Sequence, residues 1–362
     1  MQSGSVASST SEMSGASLRG EVPSAIVLGC AGGNLSPFER DFFVAANPVG
    51  FILFRRNCSS PQQVRELVAS LRECVGRDDA PVLIDQEGGC VARLRPPHWR
   101  LYPSAGRLAS LPDPAAGRAV RFAARLIADD LARLGITVDC LPVVDLLVSG
   151  ADPVIGDRSY GGDPGRVARL GRAACEGLLE GAVLPVIKHI PGHGRARLDS
   201  HHACPLVETP YQELARADFA PFRMLAGMPW AMTAHIVYTA VDPALPATLS
   251  RRVVTEVIRD EIGFDGALIS DDLSMRALGG SLGERTRRAL AAGCDLALHC
   301  NGKPAEMEEV AAAAPPISPR TAERLASGEA IRRGSASDGF DREDAEVKFD
   351  ALLAGARISE RT

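Results

Sequence analysis

Eight short apolar segments, each followed by a longer amphipathic one, constrain the fold of this chain more than any other feature. The apolar segments are residues 25–28, 49–54, 81–84, 136–144, 184–187, 230–234, 266–269 and 295–298. Strands that are apolar on both faces belong in a parallel sheet covered by helices. Eight strand–helix units favour closure of that sheet. We therefore predict an α/β protein with a single-domain (β/α)8 TIM barrel, allowing for irregular first strands.

The amphipathic segments carry the signals expected of helices. They cover residues 37–46, 61–75, 114–134, 164–179, 211–225, 250–262, 282–292 and 305–314. Several begin with a capping residue followed by proline, namely at Ser36-Pro37, Ser60-Pro61, Asp113-Pro114 and Asp163-Pro164. Gly135 and Gly263 stand where a helix commonly ends in a left-handed residue.

An open, doubly wound sheet is the alternative arrangement of these elements. It would carry a GxGxxG turn after the first strand, and residues 29–33 do not match that pattern. We predict a disordered tail over residues 1–22, a catalytic barrel over 23–326 and a C-terminal appendage over 327–362. The appendage begins in a Gly/Ser/Arg-rich segment and contains one amphipathic helix, residues 341–355.

Composition and charge exclude several classes of function. The chain has 362 residues, 46% of them hydrophobic, and a formal net charge of −5, whereas a general nucleic-acid or membrane-surface binder needs a basic field. No segment approaches the ~20 apolar residues of a membrane span, and residues 1–20 lack the pattern of a signal peptide. Nine cysteines without a CxxC pair indicate buried thiols in a reducing compartment. We expect a cytoplasmic monomer with neither nucleic-acid nor membrane partners.

Titratable residues concentrate where the fifth apolar segment ends. The loop over residues 188–201 contains Lys188, His189, His193, Asp199 and His201. A folding core gains nothing from such residues, so they indicate a functional site rather than a solvated polar loop. Other polar residues also follow strands: Asp85 the third, Arg158 the fourth, His235 the sixth, and Asp271 and Asp272 the seventh. This placement agrees with the position of active sites at the carboxyl ends of barrel strands.

The residue types suit a retaining glycosidase. Such an enzyme needs a carboxylate that attacks the sugar and a second group that gives and then takes a proton. Asp271 suits the first task, and His201, held in one tautomer by Asp199, suits the second. The groups able to bind sugar hydroxyls are Asp85, Arg93, Arg158, Lys188 and His189. Two alternatives stay open: Glu87 as the proton donor, and Asp199–His201 as a simple Asx-turn.

Together, four motifs resemble the bacterial β-N-acetylhexosaminidases of glycoside hydrolase family 3. They are residues 85–89 with Arg93, residues 156–159, the loop 188–201 and residues 270–275, and the resemblance extends from about residue 22 to about 326. It implies a (β/α)8 barrel and a retaining hydrolase that removes β-linked N-acetylglucosamine from non-reducing ends. It further implies a cytoplasmic bacterial enzyme that acts on 1,6-anhydro-muropeptides in peptidoglycan recycling, without a cofactor.

The resemblance also implies a role for each matching residue. Asp271 takes the place of the nucleophile, His201 that of the acid/base and Asp199 that of its orienting partner. The glycone-binding set is then Asp85, Arg93, Arg158, Lys188 and His189. Asp272 becomes a structural neighbour, and His193 shapes the loop.

The sequence departs from the family pattern at three positions, and other functions stay open. Cys90 replaces a common arginine, Ile190 replaces a usual phenylalanine, and His202 could compete with His201 for Asp199. A metal-dependent hydrolase is one rival, but its ligands should lie on one rigid face, and the loop histidines do not. The others are a catalytically silent sugar-binding barrel, and a β-glucosidase or phosphorylase of the same family.

Overall fold

A closed ring of eight parallel strands forms the centre of the protein. The computed structural model describes residues 22–337 and 339–359, so residues 1–21 of the predicted tail lie outside the described part. The strands are β1 (Ser24–Gly29), β2 (Pro48–Leu53), β3 (Val82–Ile84), β4 (Val138–Asp139), β5 (Leu184–Ile190), β6 (Trp230–Thr233), β7 (Ala267–Asp272) and β8 (Leu296–His299). Each pairs with its neighbours in sequence, and β1 pairs with β8 to close the ring. The predicted barrel is confirmed.

Helices cover the outside of the ring. They are α1 (Pro37–Ala46), α2 (Pro61–Val75), α3 (Ala105–Ala109), α4 (Ala115–Ala132), α5 (Pro164–Glu180), α6 (Tyr211–Arg216), α7 (Phe219–Met224), a π-type helix (Val253–Glu261), α8 (Leu282–Ala292), α9 (Pro304–Ala313), α10 (Pro319–Ser335) and α11 (Arg342–Ser359). Short 3-10 turns cover Arg55–Asn57, Gly156–Arg158 and Ala247–Leu249. None of the helices in the described ranges is long and apolar enough to cross a membrane.

Two small strand pairs lie in the loops that follow the barrel strands. Gln86–Gly88 pairs with Val91–Ala92, and Leu206–Val207 pairs with Val237–Tyr238. Both pairs stabilise segments that follow barrel strands, so they give shape to the region where the predicted site residues lie.

Three sequence predictions differ from the structure at identifiable residues. The strand predicted over 136–144 is regular only in β4, because Pro142 lacks an N–H for the ladder. The helix predicted over 211–225 is split into α6 and α7, since the ring of Pro221 would clash with the carbonyl four residues earlier in a continuous helix.

The third difference concerns the start of α4. Asp113 does not cap this helix, which begins at Ala115 with Pro114 at the cap position. The Asp113 carboxylate instead lies 3.4 Å from Arg166 and 3.6 Å from Arg169, both in α5. The other capping predictions are confirmed, since Ser36, Ser60 and Asp163 each accept a backbone hydrogen bond from the first turn of their helix.

The apolar core has two layers. Inside the ring lie alternate side chains of the strands, including Val27, Leu83, Val138, Val186, Ile269 and Leu298. The intervening side chains point outward and pack against the helices in a second, larger cluster. The middle of the ring is therefore filled with apolar side chains, which separate its two ends.

The C-terminal region differs from the predicted appendage. The sequence predicts one helix after residue 326, whereas α10 runs unbroken through that boundary and α11 follows it. In α10, Gly328 lies against Trp230 at the start of β6, and Arg324 pairs with Asp295 at 3.0 Å just before β8. This helix therefore covers the amino ends of the strands, opposite the predicted site.

Candidate active site

Strand alternation directs the predicted site residues into the mouth of the barrel. Successive side chains of a strand point to opposite faces, so the residue two positions after an inward-facing one also points inward. In β5, Val186 faces the interior and Lys188 follows it; in β7, Ile269 is followed in the same way by Asp271. Asp85 follows the inward-facing Leu83 by two positions and therefore lies beside them.

These side chains line one pocket of about 310 Å³ at the carboxyl ends of the strands. It is lined by all but one of the predicted site residues, namely Asp85, Arg93, Arg158, Lys188, His189, His201 and Asp271. The exception is Asp199, which contacts His201 but does not itself line the pocket. The apolar side chains of Ile52, Met232 and Leu298 line its inner wall, so the pocket is blind and opens in one direction.

A buried network of ion pairs forms one side of the pocket. The Lys188 ammonium lies 2.9 Å from Asp85 and 2.7 Å from Glu87, although its side chain is only 2% exposed. Arg93 contacts the other oxygen of Asp85 at 2.9 Å. Arg158 binds Glu87 through two parallel hydrogen bonds of 2.8 Å each. Three cations and two carboxylates leave one net positive charge, which the nearby Asp271 can balance.

The network fixes the charge of its members. Burial by itself would raise the pKa of Asp85, but the charges of Lys188 and Arg93 hold it well below the ordinary value. Burial opposes ionisation of Glu87 as well, and Lys188 and Arg158 overcome it, so the pKa of Glu87 is also lowered. Both carboxyl groups are therefore ionised at neutral pH, and each has its oxygens engaged by cations.

Asp271 is an ionised carboxylate with few competing contacts. One of its oxygens accepts a hydrogen bond of 2.8 Å from the Asp272 amide. Burial would raise its pKa, but its electrostatic interactions with His189 and His235 and the hydrogen bond from the Asp272 amide lower it below the ordinary value. The group can therefore act as a nucleophile at neutral pH.

The neighbouring Asp272 has a different environment. Its carboxylate accepts hydrogen bonds from the amide and hydroxyl of Ser274, at 3.0 and 2.6 Å, and from the Cys300 amide at 3.3 Å. His235, another residue that the sequence singles out, contacts the Asp272 carbonyl oxygen at 3.0 Å through Nε2. Asp272 and His235 thus hold the end of β7 in place, and Asp272 is committed to this structural task.

Asp145, which sequence reasoning missed, anchors the start of the loop after β5. This buried carboxylate contacts Nδ1 of His189 at 2.7 Å and accepts a hydrogen bond of 2.6 Å from the His193 amide. Burial would raise its pKa, but the electrostatic interaction and hydrogen bond with His189 lower it. Asp145 thereby fixes the orientation of the His189 ring, whose other nitrogen is free to face the pocket.

The Asp199–His201 pair has the geometry of an orienting carboxylate and an imidazole. Asp199 Oδ1 lies 2.7 Å from His201 Nδ1 and accepts a second hydrogen bond, of 2.8 Å, from the His201 amide. His202 is more distant, with Nε2 at 3.8 Å from Asp199, so it does not displace His201. Contact through Nδ1 leaves His201 Nε2 available at the pocket.

The remaining sequence departures lie away from the chemistry. Cys90 is exposed and does not line the pocket, and Ile190 is buried in the core. Cys300, whose position follows inward-facing Leu298 by two, does line it. Within residues 22–337 and 339–359, no group of three or more His, Cys, Asp or Glu side chains is arranged to hold a metal ion.

Asp139, a second residue that sequence reasoning missed, lies close to the network of ion pairs. It is fully buried, one oxygen accepts a hydrogen bond of 2.9 Å from the Gln86 amide, and the other has no hydrogen-bond partner in the described part of the chain. Burial raises the pKa of Asp139 from 3.8 to about 8. The carboxyl group is therefore protonated in the folded enzyme at neutral pH.

This protonation predicts a pH dependence of stability. Between the two pKa values the folded state holds a proton that the unfolded state has lost, so a rise in pH favours unfolding. Asp139→Asn mimics the protonated acid and removes this effect. From about pH 5 to about pH 7, the unfolding free energy of the variant should therefore rise relative to wild type by about 1.4 kcal/mol per pH unit. Urea unfolding across this range checks it, and a pH-independent difference would contradict it.

Comparisons with known proteins agree on one family. Residues 38–320 match the glycosyl hydrolase family 3 N-terminal domain. A protein from Alkalilimnicola ehrlichii named beta-hexosaminidase is 41% identical over 283 residues, which cover 76% of this chain and 80% of that protein. A protein of the same name from Pseudomonas aeruginosa is 41% identical over 257 residues, 70% of this chain and 75% of that protein.

Solved structures give the same result. NagZ from Neisseria gonorrhoeae, in complex with N-trifluoroacetyl-D-glucosamine, matches with a TM-score of 0.80 and 32% identity, covering 92% of this chain and 98% of that one. A family 3 β-N-acetylglucosaminidase from Paenibacillus sp. has a TM-score of 0.79 and 32% identity, over 91% of this chain and 66% of the larger one. Because the family match covers most of the sequence and the relatives are this similar, the chain belongs to glycosyl hydrolase family 3.

Proposed function

We propose that this protein is a retaining exo-β-N-acetylglucosaminidase that uses Asp271 as its nucleophile. The observation that carries the proposal is one blind pocket that combines the ionised Asp271 carboxylate with the Asp199–His201 pair. The names of the relatives and the glucosamine derivative bound to the gonococcal structure support N-acetylglucosamine as the sugar. A pocket closed at its base supports attack on terminal residues of a chain.

The ion network suits recognition of the sugar hydroxyls. Asp85, Arg93, Arg158 and Lys188 each present charged atoms to the pocket, and their mutual contacts fix the direction of those atoms. Charged hydrogen bonds to hydroxyl groups are strong and directional. The sugar is thereby oriented with its anomeric carbon toward Asp271, and His189, held by Asp145, contributes a further contact.

The reaction then proceeds in two steps. Asp271 attacks the anomeric carbon and forms a glycosyl ester, while protonated His201 gives its proton to the departing oxygen. In the second step neutral His201 takes a proton from water, the water oxygen bonds to the anomeric carbon, and the ester bond breaks. Asp199 keeps the imidazole in the tautomer that exposes Nε2. No cofactor or metal takes part in these steps.

Glu87 is less suited to the proton transfer. A general acid needs a proton at the operating pH, and glycosidase acids commonly have a raised pKa. The pKa of Glu87 is lowered, and the carboxylate is engaged by Arg158 on both oxygens and by Lys188. Protonation of Glu87 would leave these cations without a partner. The environment thus favours His201.

In the cell, we assign the enzyme to peptidoglycan recycling in the cytoplasm, as a monomer. Its substrate there would be N-acetylglucosaminyl-1,6-anhydro-N-acetylmuramyl peptides. The resemblance of the four sequence motifs to the bacterial enzymes supports this assignment. The alternative is another sugar specificity within the family, as in a β-glucosidase, or transfer to phosphate in place of water.

A comparison of substrates tests the sugar specificity. We expect kcat/KM for 4-nitrophenyl β-N-acetylglucosaminide to exceed that for the corresponding β-glucoside by at least about 10²-fold, because a site that binds the acetamido group rejects a sugar without it. Purified muropeptides, followed by mass spectrometry, should release free N-acetylglucosamine. Equal rates for the two aryl glycosides, or a sugar 1-phosphate as the main product in phosphate buffer, would favour the alternatives.

The nucleophile is tested by Asp271→Asn. An amide cannot form the glycosyl ester, so kcat should fall roughly 10⁴- to 10⁶-fold while the protein stays folded and binds sugar. Asp272→Asn is the matched control, since it makes the same change of charge in the same strand. It should lower kcat by at most about 10²-fold. Steady-state kinetics and thermal unfolding of both variants give the answer. If Asp272→Asn were inactive and Asp271→Asn remained active, Asp272 would be the nucleophile instead.

The acid/base is tested by leaving-group acidity. In His201→Ala, kcat/KM for an N-acetylglucosamine disaccharide should fall about 10²- to 10⁴-fold, because its departing alcohol needs a proton. The 4-nitrophenyl substrate needs little protonation, so its kcat/KM should fall much less, and azide should accelerate turnover where the second step has become limiting. Glu87→Ala is the comparison. If it alone shows this dependence on the leaving group, Glu87 is the acid and the proposed pair fails.

A further inference from the structure

The tip of the loop after β5 contains one buried residue among exposed ones. The side chains of His201 and His202 are 60% and 77% exposed, whereas Ser200, between Asp199 and His201, is only 3% exposed. A buried serine at the tip of an exposed loop indicates a specific attachment to the body of the protein.

Two contacts make this attachment. The Ser200 hydroxyl lies 3.2 Å from Nε2 of His193, at the start of the same loop. The Ser200 carbonyl oxygen accepts a hydrogen bond of 3.2 Å from the Ala277 amide, in the segment that follows β7. The tip is thus tied both to the centre of the barrel and to the segment next to Asp271.

His193 is a firm anchor for the hydroxyl. It is buried, its amide is held by Asp145 at 2.6 Å, and its ring lies edge-on to that of His189 with 5.5 Å between ring centres. Burial lowers the pKa of His193 to about 4, so the ring is neutral at neutral pH. Its Nδ1 has no hydrogen-bond partner among the described residues, which makes Ser200 the side chain that its polar edge contacts.

The base of the loop is already immobile. Gly194 packs against the carbonyl of Leu146 with no room for a side chain, and the Tyr238 hydroxyl donates a hydrogen bond of 2.7 Å to the Gly192 carbonyl. After Gly194, Arg195 pairs with Asp218 at 2.7 Å, and the carbonyl oxygen of the buried Ala196 accepts a hydrogen bond of 2.8 Å from the Asp152 amide. Freedom to move therefore begins after Ala196, and the next attachment among the described residues that holds the catalytic pair against the pocket is at Ser200.

We propose that Ser200 and His193 form a latch that positions His201 over the leaving group of the substrate. Both side chains line the pocket, and we assign them as positioning residues because they act on the reaction through His201. The proposal rests on the proposed function of His201 as the acid/base. Through Ala277 the same latch fixes the distance between the proton donor and the segment that carries the nucleophile.

The activity test uses Ser200→Ala in two backgrounds. In the otherwise wild-type enzyme, Ser200→Ala should lower kcat/KM for the disaccharide about 10-fold or more. It should change kcat/KM for the 4-nitrophenyl substrate little, because a misplaced acid matters only where the leaving group needs a proton. In the His201→Ala background it should change neither rate by more than about twofold, since the group it positions is gone. Equal losses on both substrates, or the same loss in both backgrounds, would overturn the latch.

A second measurement is independent of activity. Trypsin cleaves after the exposed Arg197, inside the loop, and its rate follows the population of the open loop. Loss of one hydrogen bond should raise this rate about fivefold in Ser200→Ala and in His193→Phe. Ser200→Cys keeps the volume and should cleave like Ser200→Ala, whereas Ser149→Ala, at an exposed serine of the neighbouring loop, should cleave like wild type. Unchanged cleavage in both latch variants would overturn the proposal even if the protein proves to be the proposed hydrolase.

Discussion

The site depends on a lysine ammonium that is buried at the centre of the barrel mouth. Lys188 is buried between Asp85 and Glu87, and each of these carboxylates has its own arginine. Removal of one partner from such a group leaves an unpaired buried charge, which is far costlier than the loss of a surface ion pair. The five side chains therefore hold one another in a single arrangement, and the directions of their charged atoms are set before any ligand binds.

The protonation state of each buried titratable group depends on its neighbours. Asp271 is ionised because nearby imidazoles offset its burial, whereas Asp139, with a single amide as donor, keeps its proton. His193 is neutral because burial outweighs the attraction of Asp145. Buried carboxyl and imidazole groups of the same pocket region thus carry different charges according to the neighbours of each group.

The ring and most of the pocket could be predicted from the sequence, because both follow from periodicity. A strand pattern with a period of two places Asp85, Lys188 and Asp271 inward at the strand ends once the ring closes. Asp139 was missed because it stands in the apolar segment 136–144, where the pattern gives it no distinction; Asp145 was missed although it directly follows that segment, as Asp85 follows the third. Glu87 was weighed as an acid because its two cationic partners come from distant parts of the chain, and no local pattern reveals them.

The division between rigid strands and a loop matches what each step asks of its residue. In the proposed mechanism Asp271 must meet one atom of the sugar at a fixed distance, and the end of a barrel strand provides that. The proton donor must meet a departing sugar and later a water molecule in the same place, so it benefits from an exposed position. The imidazole gives its proton to the departing oxygen in the first step and takes a proton from water in the second. An imidazole thereby changes role between the steps without placing a second negative charge beside the nucleophile.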